Sequence, residues 1–289
     1  MPSSAIQHDG QRLPEVMIAH TMKGRVLIVA GSDSGGGAGV QADIKTVTAL
    51  GGFAMTAITA LTAQNTCGVT AIHEVPRDFI TEQMYLTLTD IGADAIKTGM
   101  LHRADIIEAV CRVIEKAATN IPLVVDPVMV AKGGAELLMP AARDALISVL
   151  VPRADVLTPN LPEAAVLTGR SVETVDDMLA AGEALLKLGP RAVLMKGGHL
   201  PGNRLTDILM TSAGRVIMEG ERIETKNTHG TGCTTASAIA VGLAQGLDVE
   251  TAVRRARAYV LTAIRTAPGY GDGHGPLNHA HTVANNWVS

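Results

Sequence analysis

The chain is predicted to be an α/β protein, a mostly parallel sheet with helices packed on both faces. Three observations carry this. Short apolar runs such as Val26–Ala30, Leu123–Val125 and Ala192–Met195 each stop at glycine or at a polar residue. Between them lie longer stretches whose apolar residues recur at helical spacing. Hydrophobic residues make up 47% of the chain but aromatics only 2%, so the core is aliphatic. Such a core suits strands buried on both faces.

Taken in order, Val26–Ala30 is a buried strand running into a glycine-rich turn. From Val40 the period changes, and Val40, Ile44 and Val47 mark a helix face. Phe53–Ala60 reads as a second strand and Val69–Val75 as a third, separated by a polar loop over 62–68. Ile80, Met84, Leu88 and Ile91 line one side of a helix. Ala95-Ile96 is a short strand into Lys97-Thr98-Gly99, and Ile106–Ala117 is helical. Leu123–Val125 runs into Asp126-Pro127, and Val156-Leu157 into Thr158-Pro159-Asn160. Met178–Leu188 is helical, and Ala192–Met195 leads into Lys196-Gly197-Gly198. Residues 208–210 and 216–218 form a hairpin around Ala213-Gly214. Two helices follow, from about Thr231 and Val249. Strand–helix alternation implies right-handed crossovers in one sheet. With no linker, repeat or low-complexity segment, residues 23–289 are read as a single domain. Residues 1–22 are read as a flexible extension. They are mixed and polar, and lack the basic start and apolar core of a signal peptide.

The formal net charge of -4 argues against nucleic acid and against an anionic membrane as partner. No apolar run reaches membrane-spanning length. The three cysteines, Cys67, Cys111 and Cys233, are far apart and form no C-x-x-C pair. That excludes a zinc ribbon and fits the cytoplasm.

Polar residues at strand ends carry the chemistry. Asp33, Gln64, Asp126, Asn160 and Lys196 each follow a predicted strand, where open parallel sheets bind ligands. The strongest local signal is Thr228-His229-Gly230-Thr231-Gly232-Cys233-Thr234-Thr235, a glycine loop opening an Ala-rich helix. Unpaired N–H groups and the helix dipole make such a terminus an anion site, although a turn used only for packing reads the same way. Cys233 in the first turn is expected to have a lowered pKa; the alternative is a small core residue. Asp33 is either substrate-facing or a turn aspartate. Asn160 and Glu163 either serve Mg²⁺ or form a capping box. Lys196 can neutralise phosphate charge or simply reach solvent, and Lys132 on a loop is a second candidate. His274, His279 and His281 are read as an ordered tail closing the cleft. Gly37, Gly39 and Ala42 match a weak dinucleotide fingerprint, but no acidic residue ends the second strand. There is neither a P-loop nor a G-x-S-x-G elbow.

Together the segments GSDSGGGAGVQADIKT, TALTAQNT, KTGML, DPVMVAKGG, LTPNLPEA, VLMKGGH, TKNTHGTGCT and GHGPLNH, in this order, resemble the hydroxymethylpyrimidine/phosphomethylpyrimidine kinases of the ribokinase-like superfamily. The resemblance spans roughly Arg25 to His281. It implies a three-layer α/β/α sandwich and ATP and Mg²⁺ as cofactors. It implies two successive transfers to 4-amino-5-hydroxymethyl-2-methylpyrimidine, in thiamin synthesis by a cytoplasmic homodimer. Carried over by motif, Gln64 and Asp33 hydrogen-bond the aminopyrimidine, and Met100 and Val128 pack on its ring. Gly230, Thr231, Gly232 and Cys233 form the anion hole, with Cys233 as base for the first transfer. Lys196, with Asn160 and Thr231, faces the nucleotide phosphates, while Asp126, Asn160 and Glu163 organise Mg²⁺. Related pyridoxal kinases carry a lid cysteine where this chain has Ala131, which favours the pyrimidine substrate.

Overall fold

The computed structural model describes residues 22–131 and 133–283. The extension expected over 1–22 lies, but for Met22, outside them. Its centre is an eight-stranded sheet in the order β10-β9-β8-β7-β6-β5-β1-β2. The strands are β1 (Arg25–Ala30), β2 (Phe53–Ile58), β5 (Ala95–Thr98), β6 (Leu123–Val125), β7 (Val156–Leu157), β8 (Ala192–Met195), β9 (Arg204–Thr211) and β10 (Gly214–Glu221). The pairs from β2 through β8 are parallel, and β9 and β10 close the far edge antiparallel.

Residue alternation along the strands separates two aliphatic cores. One face carries Leu27, Val29, Ile96 and Val125 under α2 (Arg77–Asp90), α3 (Ala104–Ala117) and α6 (Val175–Leu186). The other carries Val26, Ile28, Val124 and Leu194 under α7 (Thr231–Ala244) and α8 (Val249–Arg265), with Val40 and Val47 of α1 (Gly39–Ala49). Parallel strands of two to six residues are stable here because both faces are covered. No described helix is long and apolar enough to cross a membrane.

Two features depart from expectation. The predicted strand 53–60 breaks at Thr59, whose N–H bonds Ala30 O and whose hydroxyl bonds Met100 O at 2.6 Å. Beyond the break the chain leaves the main sheet as β3 (Ala60–Asn65), which pairs antiparallel with β4 (Gly68–Glu74). Residues 62–65, expected in a loop, thus belong to a two-stranded flap. The second is an irregular helical stretch, with α4 (Arg143–Ala145) followed by turns at Leu146–Leu150 and Val151–Arg153. Its apolar residues Leu146, Leu150 and Val151 pack onto the core, but Pro152 and the short period obscure it in sequence. The hairpin around Ala213-Gly214 is present, with eight-residue strands.

Candidate active site

Each parallel strand delivers its C-terminal residue to the same end of the sheet, so residues far apart in sequence converge there. They line one cleft of about 720 Å³. Asp33 arrives after β1, Gln64 from the flap, Met100 after β5, and Asp126 and Val128 after β6. Asn160 and Glu163 come from the start of α5 (Leu161–Thr168), Lys196 follows β8, and Gly230, Thr231, Gly232 and Cys233 open α7. All twelve residues given a site role by the resemblance therefore border one space. Lys132 lies outside the described residues.

At the centre stand Lys196 and Asp126, with Lys196 Nζ 3.1 Å from Asp126 Oδ1. Thr158 Oγ1 also donates to that oxygen at 3.3 Å. Both carboxylates near Lys196 are buried, Asp126 at 3% exposure and Glu163 at 6%. Burial pushes the Glu163 carboxyl up, to about 7, against the pull of Lys196. Burial also opposes the charge on Lys196, but Asp126 and Glu163 more than offset it and its pKa is raised. Asn160 and Glu163 make the capping box: Asn160 Oδ1 accepts from Glu163 N at 2.9 Å, and Glu163 Oε2 from Asn160 N at 2.8 Å. The capping box expected of that pair is thus present, and Lys196 is near enough for its charge to pull the Glu163 pKa down.

Gly230 caps α7 in the left-handed region, with φ 84°. A Cβ there would lie 1.8 Å from Gly37 O, so the two glycine loops touch backbone to backbone. At Gly232 a Cβ would instead project between Lys196 Nζ (3.3 Å) and Asp126 Oδ2 (3.5 Å). This places the first turn of α7 beside Lys196, and a helix N-terminus with a neighbouring lysine has the chemistry that suits an anion.

Cys233 departs from expectation. It is the third residue of α7, but burial pushes its thiol up to about 12, against the nearby charge of Lys97 and a backbone hydrogen bond from Gly39. The side chain is only part-covered and opens on the cleft, yet desolvation outweighs the helix terminus. Burial thus favours the neutral thiol over the thiolate.

Asp33 is 2% exposed. Burial raises its pKa, but hydrogen bonds from His229, Gln64 and Ala38 bring it down to about 2. Met100 and Val128 belong to a small apolar cluster with Ala60 and Leu137 beside Gln64. The same cleft is also lined by Val253, Val260, Leu261 and Ile264 of α8 and by Ile223, with Arg257, Arg222 and Asp207. Of the three tail histidines, His274 lines the cleft. His279 is buried, 2.9 Å from Thr234 Oγ1, and His281 lies against Tyr259.

Sequence reasoning passed over Lys97. It was taken as the end of a strand, yet it lies within β5 at 0% exposure and pairs with Asp43 Oδ1 and Oδ2 at 2.9 and 2.8 Å. Ser237 Oγ donates to Asp43 at 2.6 Å. Burial disfavours the charge on Lys97, but Asp43 more than restores it. The same burial pushes Asp43 up; with two short contacts from Lys97, the ionised pair is the form we assign. A lysine in a buried strand needs a buried acid, and that was the available signal.

The phosphomethylpyrimidine kinase family matches this chain over residues 33–278. The chain belongs to the hydroxymethylpyrimidine/phosphomethylpyrimidine kinase family. It is similar to the hydroxymethylpyrimidine/phosphomethylpyrimidine kinase of Bacillus subtilis, with 46% identity over 88% of this chain and 94% of that one. It is 50% identical to the thiamine biosynthesis bifunctional protein ThiED of Geobacter sulfurreducens over 89% of its own length, but spans only 52% of that longer protein. Among solved structures it superposes on the ADP complex of Bacillus subtilis pyridoxal kinase with a TM-score of 0.82 and 38% identity, covering 89% of this chain and 98% of that one. A kinase of this family is a phosphotransferase, and the sheet described above is its ribokinase-like α/β fold.

Proposed function

We propose that this kinase phosphorylates 4-amino-5-hydroxymethyl-2-methylpyrimidine with ATP and then phosphorylates the monophosphate to the diphosphate, in thiamine synthesis. One observation carries the reading. One cleft is lined by Gln64 with the apolar Met100 and Val128, by Lys196 with the first turn of α7, and by the apolar Val253, Val260, Leu261 and Ile264 of α8, which supports an acceptor, a phosphate and a nucleotide bound side by side.

Gln64 reads the aminopyrimidine, with Asp33 behind it, while Met100 and Val128 hold the ring. The α8 wall takes the adenine. Lys196, Asn160 and Thr231 face the triphosphate. Asp126 and Glu163 are hard oxygen donors beside Lys196 and suit Mg²⁺, which keeps several waters and few carboxylates. Bound there, the metal would neutralise charge on the transferring group. The backbone N–H groups of Gly230–Cys233 would meet the three equatorial oxygens, and Lys196 the charge between donor and leaving group. Such positioning and charge stabilisation account for most phosphoryl-transfer catalysis.

Cys233 is the candidate base for the first transfer, because a neutral hydroxyl must lose a proton. A phosphate acceptor is already anionic and needs no base. Only the thiolate can take that proton, so the role requires the Cys233 proton to have passed to solvent through the open cleft before the acceptor binds; Lys97 and the Gly39 N–H are the contacts that favour this form. A cytoplasmic homodimer is the form we propose.

The test is ADP release with Mg-ATP, offering the hydroxymethylpyrimidine, its monophosphate and pyridoxal in parallel. Turnover of both pyrimidines with pyridoxal much slower is expected. Turnover of pyridoxal alone would move the assignment to a pyridoxal kinase, the activity named for the Bacillus subtilis structural neighbour. Silence on all three, with tight ATP binding, would indicate a non-catalytic nucleotide binder.

A further inference from the structure

The two glycine loops come from opposite ends of the chain, yet one carboxylate joins them. Asp33 Oδ1 accepts from Gly35 N at 2.7 Å, while Oδ2 accepts from Gly37 N at 3.0 Å, Ala38 N at 2.7 Å and His229 Nε2 at 2.8 Å. Three of these donors share Oδ2, and the Gln64 side chain adds a further hydrogen bond to the carboxylate, so its roughly four acceptor positions are taken by protein donors. As Asp33 is a carboxylate and only accepts, the proton of this contact sits on His229 Nε2.

The surroundings leave His229 little choice of position. A Cβ on Gly37 would lie 2.5 Å from its ring Cδ2. Its own N–H bonds Gly275 O at 3.1 Å, beside a bridge to Pro276. The first loop is tied in turn to the acceptor side. Ser34 Oγ donates to Gln64 O at 2.7 Å and accepts from Gln64 N at 2.9 Å, and Thr62 Oγ1 donates to Ser32 O at 2.8 Å. A continuous set of contacts thus runs from Gln64 through the first loop and His229 to the start of α7.

We propose that Asp33 and His229 are positioning residues that latch the acceptor-side loop to the anion-binding loop and so hold the acceptor hydroxyl in line with the phosphoryl group. Asp33 acts through this latch and not by direct contact with the acceptor ring. The loop needs such a clamp because its three consecutive glycines, Gly35–Gly37, are conformationally permissive, and about 1 Å of misplacement costs roughly 100-fold in rate. Where the acceptor is named, the inference rests on the function proposed above; the latch itself does not.

The experiment compares the wild type with His229→Ala, His229→Gln, His229→Asn, Asp33→Asn and the Asp33→Asn/His229→Ala double variant. Loss of a hydrogen bond to a charged group is worth roughly 10- to 100-fold, so His229→Ala should lower kcat by that factor for either pyrimidine, with the KM for ATP within about twofold. Gln places an amide N–H2 where Nε2 stood and should restore most of the rate. Asn places it nearer Nδ1 and should not. The double variant should be no worse than about threefold below the poorer single variant, because both remove one contact. Hydrogen exchange of the bonded amides at the two ends of the latch, Gly37 and Ala38 on Asp33 and Thr234 on Gly230 O, should quicken in His229→Ala whatever the acceptor. Fully additive losses would return Asp33 to direct substrate contact and overturn the latch. So would His229→Ala with wild-type kcat and unchanged exchange. If neither pyrimidine is turned over, the proposed substrate fails, and the exchange result alone decides the latch.

Discussion

Replacing Gly230 and Gly232 separately by alanine should separate the folding of the anion loop from its use. At Gly230 the new Cβ would meet Gly37 O at 1.8 Å and Gly37 C at 2.8 Å. A carbon–oxygen contact relaxes to about 3.3 Å, so the loops must part by about 1.5 Å. The residue also holds φ 84°, which costs an L-residue roughly 1–2 kcal/mol, and overpacking adds about 1–3 kcal/mol. Gly230→Ala should therefore lose roughly 2–5 kcal/mol of stability and, with the first turn of α7 displaced, at least about 100-fold in kcat. Gly232 has no such strain. Its Cβ would meet only the far end of Lys196 at 3.3 Å and Asp126 Oδ2 at 3.5 Å. In the first turn of a helix, alanine is as good as glycine or better by about 0.5–1 kcal/mol. Gly232→Ala should keep or gain stability yet lose about tenfold or more in kcat, because its methyl enters the space assigned to phosphate. Urea midpoints and steady-state kinetics on both variants supply the assay. Wild-type kcat in Gly232→Ala would refute the placement of the transferred phosphate, and wild-type stability in Gly230→Ala would refute the packing of the two loops.

Cys233→Ala should slow the first transfer at least about tenfold more than the second, since general-base assistance is typically worth 10²–10⁴-fold; equal losses in both steps would remove the base role. Lys97→Met leaves Asp43 buried without its partner and should cost about 3–5 kcal/mol, whereas Lys97→Met/Asp43→Asn should recover much of that in denaturant titrations. A double variant no more stable than Lys97→Met would argue against the ion pair as the source of the loss. Asp33, held at about 2 against an ordinary 3.8, has a depressed folded pKa. Its contribution is present above about pH 4 and is lost as the pH falls through about 2. The stability gap between wild type and Asp33→Asn should thus narrow from pH 6 to pH 2, by on the order of 2 kcal/mol at most and less because the cleft admits water. A gap that widens toward pH 2 would contradict the assigned hydrogen bonds.

Much of this protein is legible in its sequence. The parallel sheet follows from aliphatic runs ending in polar residues, because a strand buried on both faces has nowhere to place polarity except at its ends. The same rule puts Asp126, Asn160 and Lys196 at one edge. The glycine loop of Thr228–Thr235 announces the start of α7, because a glycine cap and the open N–H groups after it are a local property of the chain. Three matters waited for the tertiary structure. The flap of β3 and β4 leaves the sheet at Thr59, whose turn is held by Ala30 and Met100, residues 29 and 41 positions away. The protonation of Cys233 reverses the local expectation, because burial depends on everything packed around it and outweighs one helix terminus. Lys97 with Asp43, and Asp33 with His229, are pairs 54 and 196 residues apart. Sequence determines which residues carry charge or a hydrogen-bonding group; only folding decides which of them meet away from water, and there an electrostatic contact is strong enough to matter.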